Sequence, residues 1–373
     1  MDESKFFNKE FLIKLLLLIL MTTPSFGILY IFTGVHVSNE KFGLLISVIY
    51  LLLNLHKNKI LVKDALIAFA LLLAIIVPTI IRIFFYDENI QDQDISLVVW
   101  CISLPIYLAI FRKNPNQNSR IFVILLLIQT FAFVMQMLGK SLGFIDVESI
   151  FIHNPIQANY EYPQLAEGIY RVSGFFNESS QISIFFAVMY WYFKNKKWSI
   201  LLLPLILLTF SITGYLMALM LLFSLRISRY LLLLIFSLPF IAFGILSSFV
   251  DTVLYRTDLI ISSLSGSGDY NEPRIDALIK NVSQFIDRPM TGYGALAENA
   301  ERWDIFSVYV YPYGLIGGLI WVFFIIYFLY KFKVLWFYWP VLLTNVTVLS
   351  YINLLFLIVC ISKRKISKLV RYE

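Results

Sequence analysis

Long apolar runs broken by short polar stretches dominate this chain. Residues 11–32, 65–85, 95–111, 121–138, 230–250 and 308–330 each match the length of a membrane-crossing helix. Such a helix needs roughly 20 apolar residues, with about 17 as a usual lower limit. The runs at 42–55 and 182–193 are shorter and reach that length with flanking polar residues. Two more, 198–225 and 334–361, are longer than one crossing and shorter than two full ones. Two hydrophilic segments stand apart from this rhythm, at about 139–181 and about 251–307. Long loops in a compact membrane protein usually carry function.

The short polar breaks differ in charge. His56-Lys57-Asn58-Lys59, Arg112-Lys113, Lys194-Asn195-Lys196-Lys197, Arg226-Ile227-Ser228-Arg229 and Lys331-Phe332-Lys333 are basic, and so is the tail Lys363-Arg364-Lys365. Asp87 to Asp94 holds no positive charge. Basic loops stay on the cytoplasmic side. With every basic break inside and the acidic one outside, 198–225 crosses twice, turning near Ser211-Ile212-Thr213-Gly214. The stretch 334–361 also crosses twice, turning near Asn345. The prediction is about 12 spans with both termini inside and both long loops outside. The alternative is about 10 spans, which puts 251–307 inside together with its excess of carboxylates. Lys5 and Lys9 precede the first run and Lys14 lies in its opening residues; the run is too long for a signal-peptide core and reads as an uncleaved span.

Composition agrees: 59% of residues are hydrophobic and 14% charged, against about 25% charged in soluble domains. So charge-poor a chain has lipid as its solvent. The net charge of +6 matters less than its placement. Cys101 and Cys360 lie in apolar runs and His36, His56 and His153 are scattered, so neither a disulfide framework nor a metal site is expected. There is no phosphate loop, GxSxG, HExxH or zinc-ligand spacing, which argues against ATP-driven and common hydrolase chemistry and against a cofactor.

Candidate chemistry lies in the two long loops. Tyr170-Arg171-Val172-Ser173-Gly174-Phe175-Phe176-Asn177-Glu178-Ser179 runs directly into the 182–193 span. Asn177 or Ser179 can cap the helix, and its N-terminus with Arg171 could bind an anion. The plainer reading is a capped helix start with an interfacial arginine. In the second loop, Pro273 opens an amphipathic run, 275–286, predicted to lie on the bilayer surface. The turn Asp287-Arg288-Pro289-Met290-Thr291-Gly292-Tyr293-Gly294 follows. No strand precedes its two glycines, so it is not a dinucleotide fingerprint.

Together these stretches resemble the O-antigen polymerase and ligase superfamily. Arg171, Gly174 and Phe176 before a span, the Ser211-Ile212-Thr213-Gly214 turn, and Arg274 followed by Pro289, Gly292 and Gly294 match its loose motifs in order. Tyr309-Val310-Tyr311-Pro312-Tyr313-Gly314 matches its entry to the next span. The resemblance covers about residues 165–330. It implies an all-α, GT-C-like polytopic protein of the bacterial inner membrane with two long periplasmic loops. The layout is transmembrane helices over 1–138, a first loop over 139–181, helices over 182–250, a second loop over 251–307, and helices with a basic tail over 308–373.

What the resemblance implies chemically is transfer of a growing glycan from undecaprenyl pyrophosphate onto the next lipid-linked repeat unit. Ligases of the superfamily carry a functional histidine in the second loop; residues 251–307 contain none, which favours a polymerase. An O-antigen ligase, or a non-enzymatic flippase of lipid-linked sugars, is the alternative. The paired arginine motifs of some polymerases are absent. Arg171 and Arg274 are expected to face one cavity and neutralise pyrophosphate, with Glu178 or Glu272 as base toward the acceptor hydroxyl. Gly174, Asn177, Asp276, Arg288, Gly292, Gly294, Arg302 and Tyr309 are expected to line the substrate. Expected partners are the undecaprenyl-pyrophosphate-linked oligosaccharide and the lipid bilayer, with a chain-length regulator and a flippase as candidates; nucleic acid is not among them.

Overall fold

A computed structural model describes residues 9–23, 39–54, 59–142, 164–166, 169–170, 174–176, 179–209, 211–223, 282–283, 285–294, 306–344 and 352–369. The regular elements among these residues are helices, apart from a small antiparallel pair, β1 (Gln164–Ala166) and β2 (Ile169–Tyr170). The helices are α1 (Lys9–Thr22), α2 (Asn39–Leu53), α3 (Val62–Tyr86), α4 (Asp92–Phe111), α5 (Pro115–Leu142), α6 (Ser179–Phe193), α7 (Leu202–Leu208), α8 (Ile212–Phe223), α9 (Tyr311–Lys331), α10 (Leu335–Thr344) and α11 (Ile352–Leu369). Four stretches are long and apolar enough to cross a membrane: Val62–Tyr86, Asp94–Phe111, Pro115–Gly139 and Val308–Lys331. They coincide with the runs predicted at 65–85, 95–111, 121–138 and 308–330. Prolines sit inside α3, α4 and α10, at Pro78, Pro105 and Pro340. Membrane helices tolerate them where neighbouring groups satisfy the freed carbonyls.

The chain divides into two compact units. The first comprises residues 1–65, 102–221 and 350–373. Its centre is α6, in which every residue from Ser179 to Phe193 is buried. A helix apolar on all sides belongs in a core, and α5, α7 and α11 pack around this one. Ring pairs fix its rotation: Phe186 meets Phe133 edge-on at 5.7 Å and Tyr192 meets Phe122 at 5.1 Å.

The long run 198–225 is divided into two helices, with the break ahead of the expected turn, since Ile212, Thr213 and Gly214 already belong to the second. A short 3₁₀ turn (Lys197–Leu201) leads into α7, the helix stops at Thr209, and α8 starts at Ile212. The Thr209 hydroxyl donates to the Ile206 carbonyl, and the Gly214 N–H donates to Ser211 Oγ. A side chain at Gly214 would strike Ser183, in the first turns of α6. The break at 209–211 therefore lies beside the beginning of α6, and α7 runs back along it.

The run 334–361 also separates into α10 and α11, although its predicted turn near Asn345 lies outside the described residues. The expected basic tail is a continuation of α11, which runs through Lys363, Arg364 and Lys365 to Leu369. Lysine and arginine are good helix formers, and here two of these side chains close neighbouring helix ends. Lys363 Nζ donates to the Trp191 carbonyl, and Lys365 Nζ to the Arg112 carbonyl.

The second unit comprises residues 66–101 and 222–349. In its core Trp321 packs against Trp100 at 5.6 Å and stacks on Tyr309 at 4.8 Å. Large apolar side chains also point outward from it, Phe84 at 80% and Phe323 at 73% exposure. Exposed apolar surface of this kind suits hydrocarbon as the surrounding medium. The contrast yields a test. Trp321→Ala removes a buried ring and should cost about 3–5 kcal/mol, while Phe323→Ala should barely change the unfolding midpoint of the bilayer-reconstituted protein. Tryptophan-fluorescence melting in lipid nanodiscs measures both; equal losses would mean that Phe323 is not lipid-facing.

Candidate functional site

Each unit holds a polar construction in apolar surroundings. In the first, α5 carries Gln129 and Gln136, both 0% exposed and two helical turns apart, hence on one face. Gln136 grips the turn before α6 from both sides. Its Nε2 donates to the Gly174 carbonyl at 2.7 Å, and its Oε1 accepts the Gly174 N–H at 2.8 Å. Gln129 Oε1 accepts the Phe175 N–H, and its Nε2 donates to the Thr22 carbonyl at the end of α1. Phe176 closes the turn against Phe185 at 5.6 Å. Buried amides cost energy unless paired; these two are paired with backbone. They hold the Gly174-Phe175-Phe176 turn, the middle of the first motif, on α5.

The second unit is built round Arg82 and Asp94, whose side chains are 3% and 4% exposed. Gln91 caps α4, and Asp94 reaches back to its N–H at 3.2 Å, half of a capping box. Asp94 also accepts from Tyr313 Oη at 2.7 Å and from Arg82 Nη2 at 3.3 Å. Arg82 donates further to Thr79 Oγ1 and to the Pro312 carbonyl. Its Nε is buried without a partner among the described residues.

Against this network lies the turn 288–294, and beside it α9 is broken. Gly314 has φ 63° and ψ −167°, a region essentially reserved for glycine. The break frees backbone groups of residues 311–316, and the turn takes them up. Leu315 N–H donates to the Pro289 carbonyl at 2.8 Å and Ile316 N–H to the Met290 carbonyl. Gly294 N–H donates to the Pro312 carbonyl at 2.9 Å. A methyl group at Gly292 would lie 2.3 Å from the Tyr311 carbonyl oxygen; at Gly294 it would lie 1.9 Å from Arg82 Nη1. The glycines of the Pro289-x-x-Gly292-x-Gly294 motif thus permit backbone to lie on backbone and on a guanidinium.

Arg288 ties the turn to the end of α3. It pairs with Glu88 and lies between the rings of Tyr86 at 3.8 Å and Tyr293 at 4.3 Å.

Among the predicted site residues, Gly174, Arg288, Gly292, Gly294 and Tyr309 are described, and the first four belong to these constructions. Tyr309 is 3% exposed and stacked on Trp321, so its ring packs the unit rather than facing an open surface. The Arg288 charge is already matched by Glu88. Arg171, Asn177, Glu178, Glu272, Arg274, Asp276 and Arg302 lie outside the described residues. Among the described residues no group of histidine, cysteine and carboxylate side chains could hold a metal ion. The sequence reading passed over Gln129, Gln136, Arg82 and Asp94. Two glutamines seven residues apart in an apolar helix, and an ionisable pair flanking the acidic break, were the available signals.

Comparison with protein-family models, curated proteins and solved structures finds no match. The class that the helices define is a membrane protein.

The Arg82–Asp94 pair is open to a double-mutant test. Removing one partner of a buried pair costs about 3–5 kcal/mol, while replacing both with apolar residues is often neutral. Arg82→Met and Asp94→Leu should each lower the unfolding midpoint strongly, and the double variant should recover much of the loss. Additive losses in thermal melts of the reconstituted protein would show that the two charges act independently.

Proposed function

We propose that this protein is a polysaccharide polymerase of the bacterial inner membrane. It transfers a growing glycan from undecaprenyl pyrophosphate onto the next lipid-linked repeat unit at the periplasmic face. The observation that carries this reading is the joining of 288–294 to the acidic break. Glu88 pairs with Arg288, and Arg82 abuts Gly294. The end of the second long loop therefore lies at the same membrane face as residues 87–94, the break with no positive charge. That supports about 12 spans over about 10, because only a double crossing of 198–225 puts both on one face. The helix break at 209–211, beside the start of α6, supports the same count. Both loops with polymerase-like motifs then open outward, where lipid-linked glycan is presented.

The chemistry follows from the donor. Its glycosyl–pyrophosphate bond is already activated, so transfer needs no nucleotide. Arg171 and Arg274 neutralise the departing pyrophosphate, each offering a permanently charged, bidentate donor fork. Glu178 or Glu272 takes the proton from the acceptor hydroxyl. The Arg82 charge is matched by Asp94, and Arg82 holds the frame instead of meeting substrate.

Losing one charge-assisted contact costs about 1.5–3 kcal/mol, or roughly tenfold to hundredfold in rate. Arg171→Lys and Arg274→Lys should therefore shorten the surface-polysaccharide ladder on a gel while the protein inserts at normal levels. Normal ladders from both would remove these arginines from the site. Deleting the gene should collapse the ladder to a single repeat unit; complete loss of polymer on the lipid core would point to a ligase.

Topology is tested separately. Reporter fusions after Gln157 and Asn271 should report the periplasm, and those after Lys197, Arg229 and Lys333 the cytoplasm. A cytoplasmic signal at Asn271 would put the second loop on the wrong face for this chemistry.

A further inference from the structure

At one end of the first unit, basic side chains from four parts of the chain gather where apolar helices stop. Lys14 of α1 is 0% exposed, pairs with Glu10 at 2.8 Å, and donates to the Lys113 carbonyl at 3.1 Å. Arg112, just past α4, pairs with Asp64 at 2.5 Å; its Nη1 is buried with no partner among the described residues. Lys365 donates to the Arg112 carbonyl and Lys363 to that of Trp191. Lys363 Nζ also stands 3.9 Å over the Trp191 ring. The charge of Lys194 acts on Lys363, and those of Lys113 and Lys365 act on Lys14.

Helix ends account for part of this. Cations at helix C-termini meet the negative pole of the helix and its unbonded carbonyls. They do not account for the charge balance. Lys14, Arg112, Lys113, Lys194, Lys363 and Lys365 face two carboxylates, Glu10 and Asp64. Four positive charges are thus left without an acidic partner among the described residues. An ammonium has three donors, and Lys363 and Lys365 each give one to a carbonyl. Lys363 lies beyond the apolar stretch that ends near Ile361, and burial, with Lys194 beside it, pushes its ammonium down to about 7.

We propose that this cluster binds the phosphate of an anionic lipid headgroup. Its level favours lipid over a free anion. The cations lie just past Phe111, Phe193 and Ile361, where three apolar stretches end. Trp191 and Trp198 stand at the same level, where tryptophan marks the membrane interface. Trp198 and Leu201, directly after Lys194–Lys197, are 40% and 67% exposed and offer apolar surface to acyl chains. Basic pockets between helices at the polar edge of a bilayer hold phosphate headgroups. The inference is independent of glycan transfer.

The test is native mass spectrometry of the full chain released from nanodiscs of phosphatidylcholine containing phosphatidylglycerol. Wild type should retain phosphatidylglycerol in preference to phosphatidylcholine. The double variant Lys363→Gln/Lys365→Gln should lose affinity about fivefold per lysine, roughly 30-fold for the pair. Lys363→Arg/Lys365→Arg keeps the charges and should retain the lipid, which separates lost binding from lost folding. Lys331→Gln, in the other unit, should bind as wild type. Equal retention of both lipids overturns the proposal, as does a Gln pair that binds like wild type or an equal loss from Lys331→Gln. Displacement of the lipid by millimolar inorganic phosphate would also overturn it, by showing a free-anion site.

Discussion

A bilayer interior offers no hydrogen-bond partners, so wherever a helix is interrupted another piece of the protein must take up the freed backbone groups. Both polar constructions in this chain answer that demand. In the second unit α9 breaks at Gly314, and the carbonyls of Pro289 and Met290 receive the Leu315 and Ile316 N–H groups. In the first, the side-chain amides of Gln129 and Gln136 take up backbone groups of the turn at Gly174 and Phe175. The two solutions differ in consequence. Backbone against backbone requires close approach and therefore glycine. Side chain against backbone requires burying an amide that is costly if its partner moves.

Buried charge follows the same logic. Arg82 and Asp94 could not persist in hydrocarbon singly. Together they link the end of α3, the start of α4 and the start of α9, with Tyr313 as the third member. Because Asp94 also caps α4, one carboxylate sets a helix start and neutralises a guanidinium. Such a pair contributes little net stability compared with an apolar replacement. What it contributes is a single arrangement of three chain segments, on which the 288–294 turn rests.

Much of this architecture is legible in the sequence because the governing rule is local. Runs of about 20 apolar residues and the sign of the breaks between them recover the four long helices, and the length of 198–225 announces its division. What escaped is non-local. Nothing near Gly314 reveals that α9 breaks there, because the segment that receives its backbone lies some twenty residues earlier. The motif glycines were legible as a pattern but not as a cause; the cause is the Tyr311 backbone for Gly292 and, for Gly294, Arg82, about two hundred residues away. The basic tail, Lys363-Arg364-Lys365, shows a further limit of the charge rule. Positive charge marks where a crossing ends, not where a helix ends, and α11 continues past that point with residues of good helix propensity. Tyr309 entered the expected site from its place in a motif, whereas its burial depends on Trp321, which lies outside that motif.

The chain leaves the bonded frame of the second unit at Gly294 and is back in its core by Val308, with Val308, Tyr309 and Val310 buried ahead of the break at Gly314. Ladder and core are thus joined through a few residues, since Tyr309 stacks on Trp321 while Tyr311 and Pro312 accept from the 288–294 turn. One residue inserted between Tyr309 and Gly314 would turn the preceding side chains by about 100° about the helix axis and take Tyr309 off Trp321. The spacing of these positions is therefore set by packing and leaves no room for a change of length.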